Sequence, residues 1–134
     1  MQDIIGLYRN YKEYNHLSEY DFKICLEPSI KLNQFKKHYK SNKLIGFTNW
    51  AYLSDKDSEN LKKTGDIVDW NSGDNLWHID TVCLEDLKQI ISWTKNYFTK
   101  KFGVGKTINW IRTDQKKVIK YLNIKTKRSW LWEV

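Results

Sequence analysis

One carboxylate stands out by its surroundings. Residues 76–84 read Leu-Trp-His-Ile-Asp-Thr-Val-Cys-Leu, an extended run of β-branched and aromatic side chains with Asp80 in the middle. A carboxylate in an apolar strand is costly unless it is paired. Asp80 therefore has a partner or borders a cleft. In a regular strand Leu76, His78, Asp80 and Val82 face one way, and Trp77, Ile79, Thr81 and Cys83 the other. His78 then shares the face of Asp80 and is a candidate general base. Cys83 points away from Asp80 with no base beside it, which makes it a poor nucleophile. His38 sits in a basic stretch and reads as solvated. Two cysteines, Cys25 and Cys83, and three scattered histidines lack metal-ligand spacing, so no metal site is expected.

The elements that must position these residues follow from periodicity. Ile4, Ile5, Tyr8, Tyr11 and Tyr14 predict a helix over residues 2–14. Ser18 is a good N-cap for a short irregular or helical segment that runs to Pro28. Strands are expected near 34–40 and 44–53, joined by the turn at Ser41-Asn42-Lys43 as a hairpin. Ser54 caps a short charged helix that Gly65 stops. Asn71 to Asn75 is a polar turn that leads into the strand of Asp80. Glu85 and Asp86 open a long helix with apolar positions from Leu87 to Phe102, ended by Gly103. Thr107–Thr113 is a strand, Gln115 to Leu122 a second helix, and Ser129–Val134 a terminal strand. The unit spanning 76–113 is strand, helix, strand, which predicts a right-handed βαβ crossover with parallel neighbours. An antiparallel hairpin feeding such a unit is the layout of GNAT-type acyltransferases, an analogy of fold alone. The expected class is α+β with a mixed central sheet.

Composition narrows the function classes. The 134 residues suit one domain, and 15% aromatics with seven Trp argue against disorder. No stretch has transmembrane length, and the N-terminus lacks the pattern of a secretory signal. The expectation is a soluble, cytoplasmic protein. The formal charge of +7 comes from twenty Lys against three Arg. A nucleic-acid reader would use more Arg for bidentate contacts, which weighs against that reading and leaves two others open, an acidic protein partner and a mere lysine bias of an A/T-rich genome.

Two stretches carry a family resemblance. Gly46-Phe-Thr-Asn-Trp-Ala-Tyr-Leu-Ser54 and Asp69-Trp-Asn-Ser-Gly-Asp-Asn-Leu-Trp-His-Ile-Asp80 resemble the heart of the toxin-activating lysine acyltransferases of the HlyC type. Tyr97-Phe-Thr-Lys-Lys-Phe102 and Ile108-Asn-Trp-Ile-Arg-Thr-Asp114 resemble that family's long helix and next strand. The likeness covers roughly residues 14 to 120. It implies a GNAT-like fold and transfer of a fatty acyl group from acyl carrier protein to lysines of a protein substrate. It implies catalytic roles for His16 and Asp80, with Trp50, Ser72, Trp77 and His78 as candidate substrate-binding residues. It also implies a possible homodimer and no bound cofactor, the phosphopantetheine thioester being a donor substrate. The sequence departs from the family around His16, where Glu13-Tyr-Asn-His-Leu-Ser-Glu-Tyr20 replaces Ser-Pro before the His and Arg and Trp after it.

The chemistry implied is aminolysis of a thioester. A lysine amine is protonated at neutral pH and needs a base, which His16 would supply with Asp80 orienting it. Val82-Cys-Leu-Glu-Asp86 contains no Gly, whereas a coenzyme A pyrophosphate is ordinarily cradled by a glycine-rich loop before a helix. Acyl carrier protein offers only phosphopantetheine and is acidic. The competing readings are an acetyl-CoA-dependent enzyme of the same fold and a non-catalytic basic binding protein.

Overall fold

The structure is a computed structural model and describes residues 1–113 and 119–131. Ten elements follow one another: α1 (Gln2–Tyr8), α2 (Glu19–Lys31), β1 (Phe35–Lys40), β2 (Lys43–Leu53), α3 (Asp55–Thr64), β3 (Asn75–Cys83), α4 (Leu87–Phe102), β4 (Thr107–Thr113), β5 (Ile119–Lys125) and a 3-10 turn at Arg128–Trp130. The five strands form one sheet in chain order, antiparallel except for β3 beside β4. The hairpin and the parallel β3–α4–β4 crossover are those the periodicity predicts. This mixed sheet flanked by helices is a GNAT-like fold.

The two faces of the sheet have different cores. On one face Phe47 and Val82 pack with Ile4, Leu7, Phe22 and Leu26 of α1 and α2. The same face continues through Ala51, Leu53 and Trp77 to Leu61 of α3. On the other face Trp50, Leu76, Ile108 and Trp110 pack on Phe98 of α4. Phe47, Trp77 and Phe98 are almost wholly buried, and burial of each such side chain is worth roughly 2–3 kcal/mol.

Caps set most helix ends. Ser18 opens α2 in a reciprocal capping box with Asp21. Ser54 caps α3, and Gly65 ends it in the left-handed region at φ 79°. Gly73 has a different reason to be glycine: a Cβ there would lie 2.5 Å from the Ser54 Cα. The loop 71–74 is laid directly on the start of α3, where Ser54 N donates to Ser72 Oγ at 2.9 Å.

Several expectations are corrected. α1 stops at Tyr8, because Asn10 Nδ2 donates to the Gly6 and Leu7 carbonyls and takes the place of a further turn. The segment after Ser18 is a full helix with Pro28 inside it. Asp86 is the N-cap of α4 rather than part of its first turn. Residues 119–122 are strand, paired antiparallel with β4, and not helix. The rest of that expected helix, Gln115 to Val118, lies outside the described residues. The expected terminal strand begins instead as a 3-10 turn, and Trp132 to Val134 lie outside the described residues.

Candidate active site

The site forms where β3 leaves β4. Among the described residues the two strands pair at Leu76–Ile108, Trp77–Asn109 and His78–Trp110 and no further along β3. On its other side β3 pairs with β2 through a register shift: Trp50 faces His78, but Asn49 faces Asp80. Ile79 is the extra residue of a β-bulge, and bulges bend a strand and re-aim its side chains. Asn49, fully buried, holds the bulge in place. Its Oδ1 accepts from Asp80 N at 2.9 Å, and its Nδ2 donates to Ser29 Oγ of α2 at 3.2 Å.

The bulge overturns the regular alternation. His78 is turned to the α4 face, stacked on Trp110 with ring centroids 3.9 Å apart. Asp80 is turned to the opposite face, toward α1. His78 and Asp80 therefore do not share a strand face, although both reach the gap between β3 and β4.

Asp80 is held by phenols. Tyr8 of α1 donates its hydroxyl to Asp80 Oδ2 at 2.8 Å. Tyr14, in the turn after α1, presents a second hydroxyl to the same carboxylate. Among the described residues no cation forms an ion pair with Asp80. Burial pushes the carboxyl above the usual carboxylate range, and the hydrogen bonds from Tyr8 and Tyr14 oppose that rise. The tyrosines answer in kind. Tyr8 is raised by burial and then by the charge of Asp80, and Tyr14 by the charge of Asp80 and then by burial.

The turn of residues 9–17 is fastened to the strand. Tyr11 OH donates to the Cys83 carbonyl at 3.1 Å and accepts from Cys83 N at 2.9 Å. Arg9 Nη1 donates to the carbonyls of Asn15 and Leu17, 3.2 Å each, and its guanidinium lies over Phe22. These contacts set Tyr14 against Asp80.

Two clefts meet at this point. One, about 390 Å³, lies toward α4 and is bordered by Glu13, His78, Thr81, Leu87, Ile91 and Trp110. The other, about 430 Å³, lies toward α2 and α3. Tyr14, Ile79, Asp80 and Ile111 belong to both walls. A substrate bound through this gap would have its reacting atom beside Asp80, with different chemistry on either side.

A chain of hydrogen bonds runs under α4 from the first cleft. His78 Nε2 lies 2.7 Å from Thr81 Oγ1, which lies 3.4 Å from Thr48 Oγ1, which lies 3.0 Å from His38 Nε2. His38 is buried against Trp93, not solvated. Its charged form is disfavoured by burial and by Lys36, which bring it down to about 4.

The other expected site residues are placed as follows. His16 is exposed on the rim turn, flanked by the two carbonyls that Arg9 binds. It borders neither cleft and makes no hydrogen bond to Asp80 among the described residues. Trp50 is buried against Phe98 and Tyr97 of α4. Trp77 is buried on the other face, its Nε1 donating to Ser58 Oγ at 3.0 Å. Ser72 braces the start of α3. Cys83 sits next to Gly46 and Ile90 on the α4 side, away from Asp80. Sequence reasoning missed Tyr8, Tyr14 and Asn49. The two tyrosines were visible as part of an aromatic stripe, but nothing in that stripe showed which carboxylate they would meet. Among the described residues no group of three or more His, Cys, Asp or Glu is placed to hold a metal, and no helix is long and apolar enough to cross a membrane.

A search of curated proteins returned no match. The family model for HlyC, the RTX toxin acyltransferase family, matches residues 2–125. That span contains the whole of the Asp80 site, from Tyr8 and Tyr14 to Ile111, as well as the gap between the parted strands. The chain belongs to the RTX toxin acyltransferase family.

Proposed function

We propose that this acyltransferase moves a fatty acyl group from acyl carrier protein to a lysine of a protein substrate. The observation that carries the reading is the position of Asp80 at the junction of two clefts, where β3 and β4 part. The lysine Nζ, once deprotonated, attacks the thioester carbonyl; the C–S bond breaks, and the thiolate leaves as the free thiol after taking a proton. The strand edge left open beyond His78 offers backbone groups for the carbonyl oxygen. Asp80 supplies the negative charge that a cationic base or ammonium needs beside it.

The general base is assigned to His16, on the family resemblance. It stands two residues after Tyr14, and a base on a rim turn closes onto its substrate only when the complex forms. A second reading makes His78 the base. It rests on one observation: His78 borders the cleft and is hydrogen-bonded to Thr81. Trp50, Trp77 and Ser72 act at one remove, by holding the strands and α3 around the gap.

The start of α4 argues for a carrier-protein donor over coenzyme A. Helix N-termini bind pyrophosphate through free N–H groups and a positive dipole. Here Glu85 and Asp86 stand at that end, both paired with Lys40, and no Gly lies between Val82 and Asp86. Carboxylates at that place repel a pyrophosphate. The +7 chain also suits an acidic carrier. A cytoplasmic location and a homodimer belong to the same proposal.

The test is intact-mass analysis of a candidate protein substrate incubated with the enzyme and acyl-acyl carrier protein. Fatty-acyl increments on lysine are expected. Asp80→Asn should lower the rate about 10²-fold or more. Loss in His16→Ala with retention in His78→Ala supports the first base assignment; the reverse supports the second. Acetyl increments from acetyl-CoA alone, or full activity in Asp80→Asn, would overturn the reading.

A further inference from the structure

We propose that the cleft on the α2–α3 side of Asp80 holds the acyl tail of the donor and sets the chain length the enzyme accepts. The inference rests on the acyltransferase reading and adds a site to it. The cleft is walled by apolar side chains: Phe22 and Leu26 of α2, Leu61 of α3, and Ile67, Trp70 and Ile111. Asp80 and the hydroxyls of Tyr8 and Tyr14 stand at the end it shares with the other cleft, and Asp66 is the one other carboxylate among the described residues of its wall, in the loop after α3. The opposite cleft is the polar one, with Glu13, His78 and Thr81 in its wall. One molecule with a polar arm, a reactive centre and a greasy tail matches that order across the gap. The arm lies by α4, the thioester by Asp80 and the tail against α2 and α3.

Size agrees with chemistry. The cleft has about 430 Å³. A methylene is similar in size to the ~30 Å³ that one water occupies, so the space takes a chain on the order of a dozen carbons. Burying each methylene should tighten binding about fourfold, until the wall is reached. Ile67 is half-buried in the loop after α3, so a larger side chain there shortens the space without breaking the core of a helix. The apolar groove on the outer side of α2, between Tyr20 and Val68, is not the tail site on this argument, because Asp80 does not border it.

Cys25 gives a direct probe. It is exposed yet borders the same cleft. The experiment follows maleimide labelling of Cys25 by peptide mass in the wild-type protein, with a graded series of acyl-pantetheine thioesters from butanoyl to hexadecanoyl. Acyl transfer is measured in parallel on the same series. Protection should rise about fourfold per methylene and then level off. In Ile67→Trp the levelling should come at a shorter chain. In Val68→Trp, an exposed neighbour outside the cleft, it should not move. Protection that does not depend on chain length would overturn the proposal. So would transfer whose length preference is the same in Ile67→Trp, with Cys25 equally reactive throughout; that result would leave the transferase reading standing. Graded protection with no acylation of any protein would keep the tail site and overturn the transferase reading instead.

Discussion

Replacing His38 by glutamine should flatten the acid side of this protein's stability curve. His38 is 8% exposed, edge-on to Trp93 and within 3.0 Å of Thr48 Oγ1. Its folded-state value of about 4 lies below the ordinary 6.5. The fold therefore favours the neutral ring. That contribution is fully present above the unfolded value and is lost as pH falls through it toward the folded one. Lysines dominate the surroundings: Lys36 and Lys37 border the same surface cleft, with Tyr39 and Asp86. Asp86 is already held by Lys40. Integrating between pH 7 and pH 5 gives a loss of about 2 kcal/mol from this one ring. At the usual urea slope for a chain of this size, that moves the unfolding midpoint by about 1 M. Asp80 acts in the opposite direction, since its raised carboxyl is less costly to bury as pH falls. Both proteins should therefore carry Asp80→Asn. Urea midpoints at several pH values then isolate His38. The variant is expected to lose most of the pH 7 to pH 5 decline, whatever its absolute stability. Equal declines in the two proteins would refute the reasoning.

Three further outcomes are expected. Asp80→Asn should leave the thermal midpoint unchanged or raise it while activity falls, because a largely desolvated carboxylate that meets no cation among the described residues is a cost of function; calorimetry and the mass assay on one preparation check this. Tyr8→Phe removes a hydrogen bond that lowers the Asp80 value, so the acid limb of kcat/KM should move to higher pH; an unmoved limb would show that Asp80 does not control it. Gly73→Ala should cost on the order of 1–3 kcal/mol in urea unfolding, since the new Cβ meets backbone at Ser54 that cannot swing aside.

What was legible in the sequence was local. Ser18, Ser54, Gly65 and Gly103 mark helix ends because a cap needs only a few neighbours. The hairpin and the crossover followed from period and length. The bulge at Ile79 was not legible, since an apolar run such as Trp-His-Ile-Asp reads the same with or without one residue out of register. Residues 119–122 satisfy a helical stripe and a strand alternation alike, and pairing with the edge of β4 decided between them. His38 looked solvated because its sequence neighbours are lysines, but the side chain that covers it, Trp93, comes from fifty-five residues further on. Asp80 was legible as an anomaly. Its tyrosine partners were not, since only the folded sheet brings α1 to β3.

Asn49 and the bulge it holds have a consequence for how this enzyme can change. Which side of the sheet Asp80 serves is a question of phase, set by a count of residues and not by their chemistry. Were Ile79 drawn into the ladder opposite Asn49, every candidate catalytic residue would remain and yet the carboxylate would face the wrong half of the molecule. Substitutions tune such a site, whereas a slip of one residue inverts it. Its most vulnerable coordinate is therefore a register, and that coordinate is guarded by one buried amide.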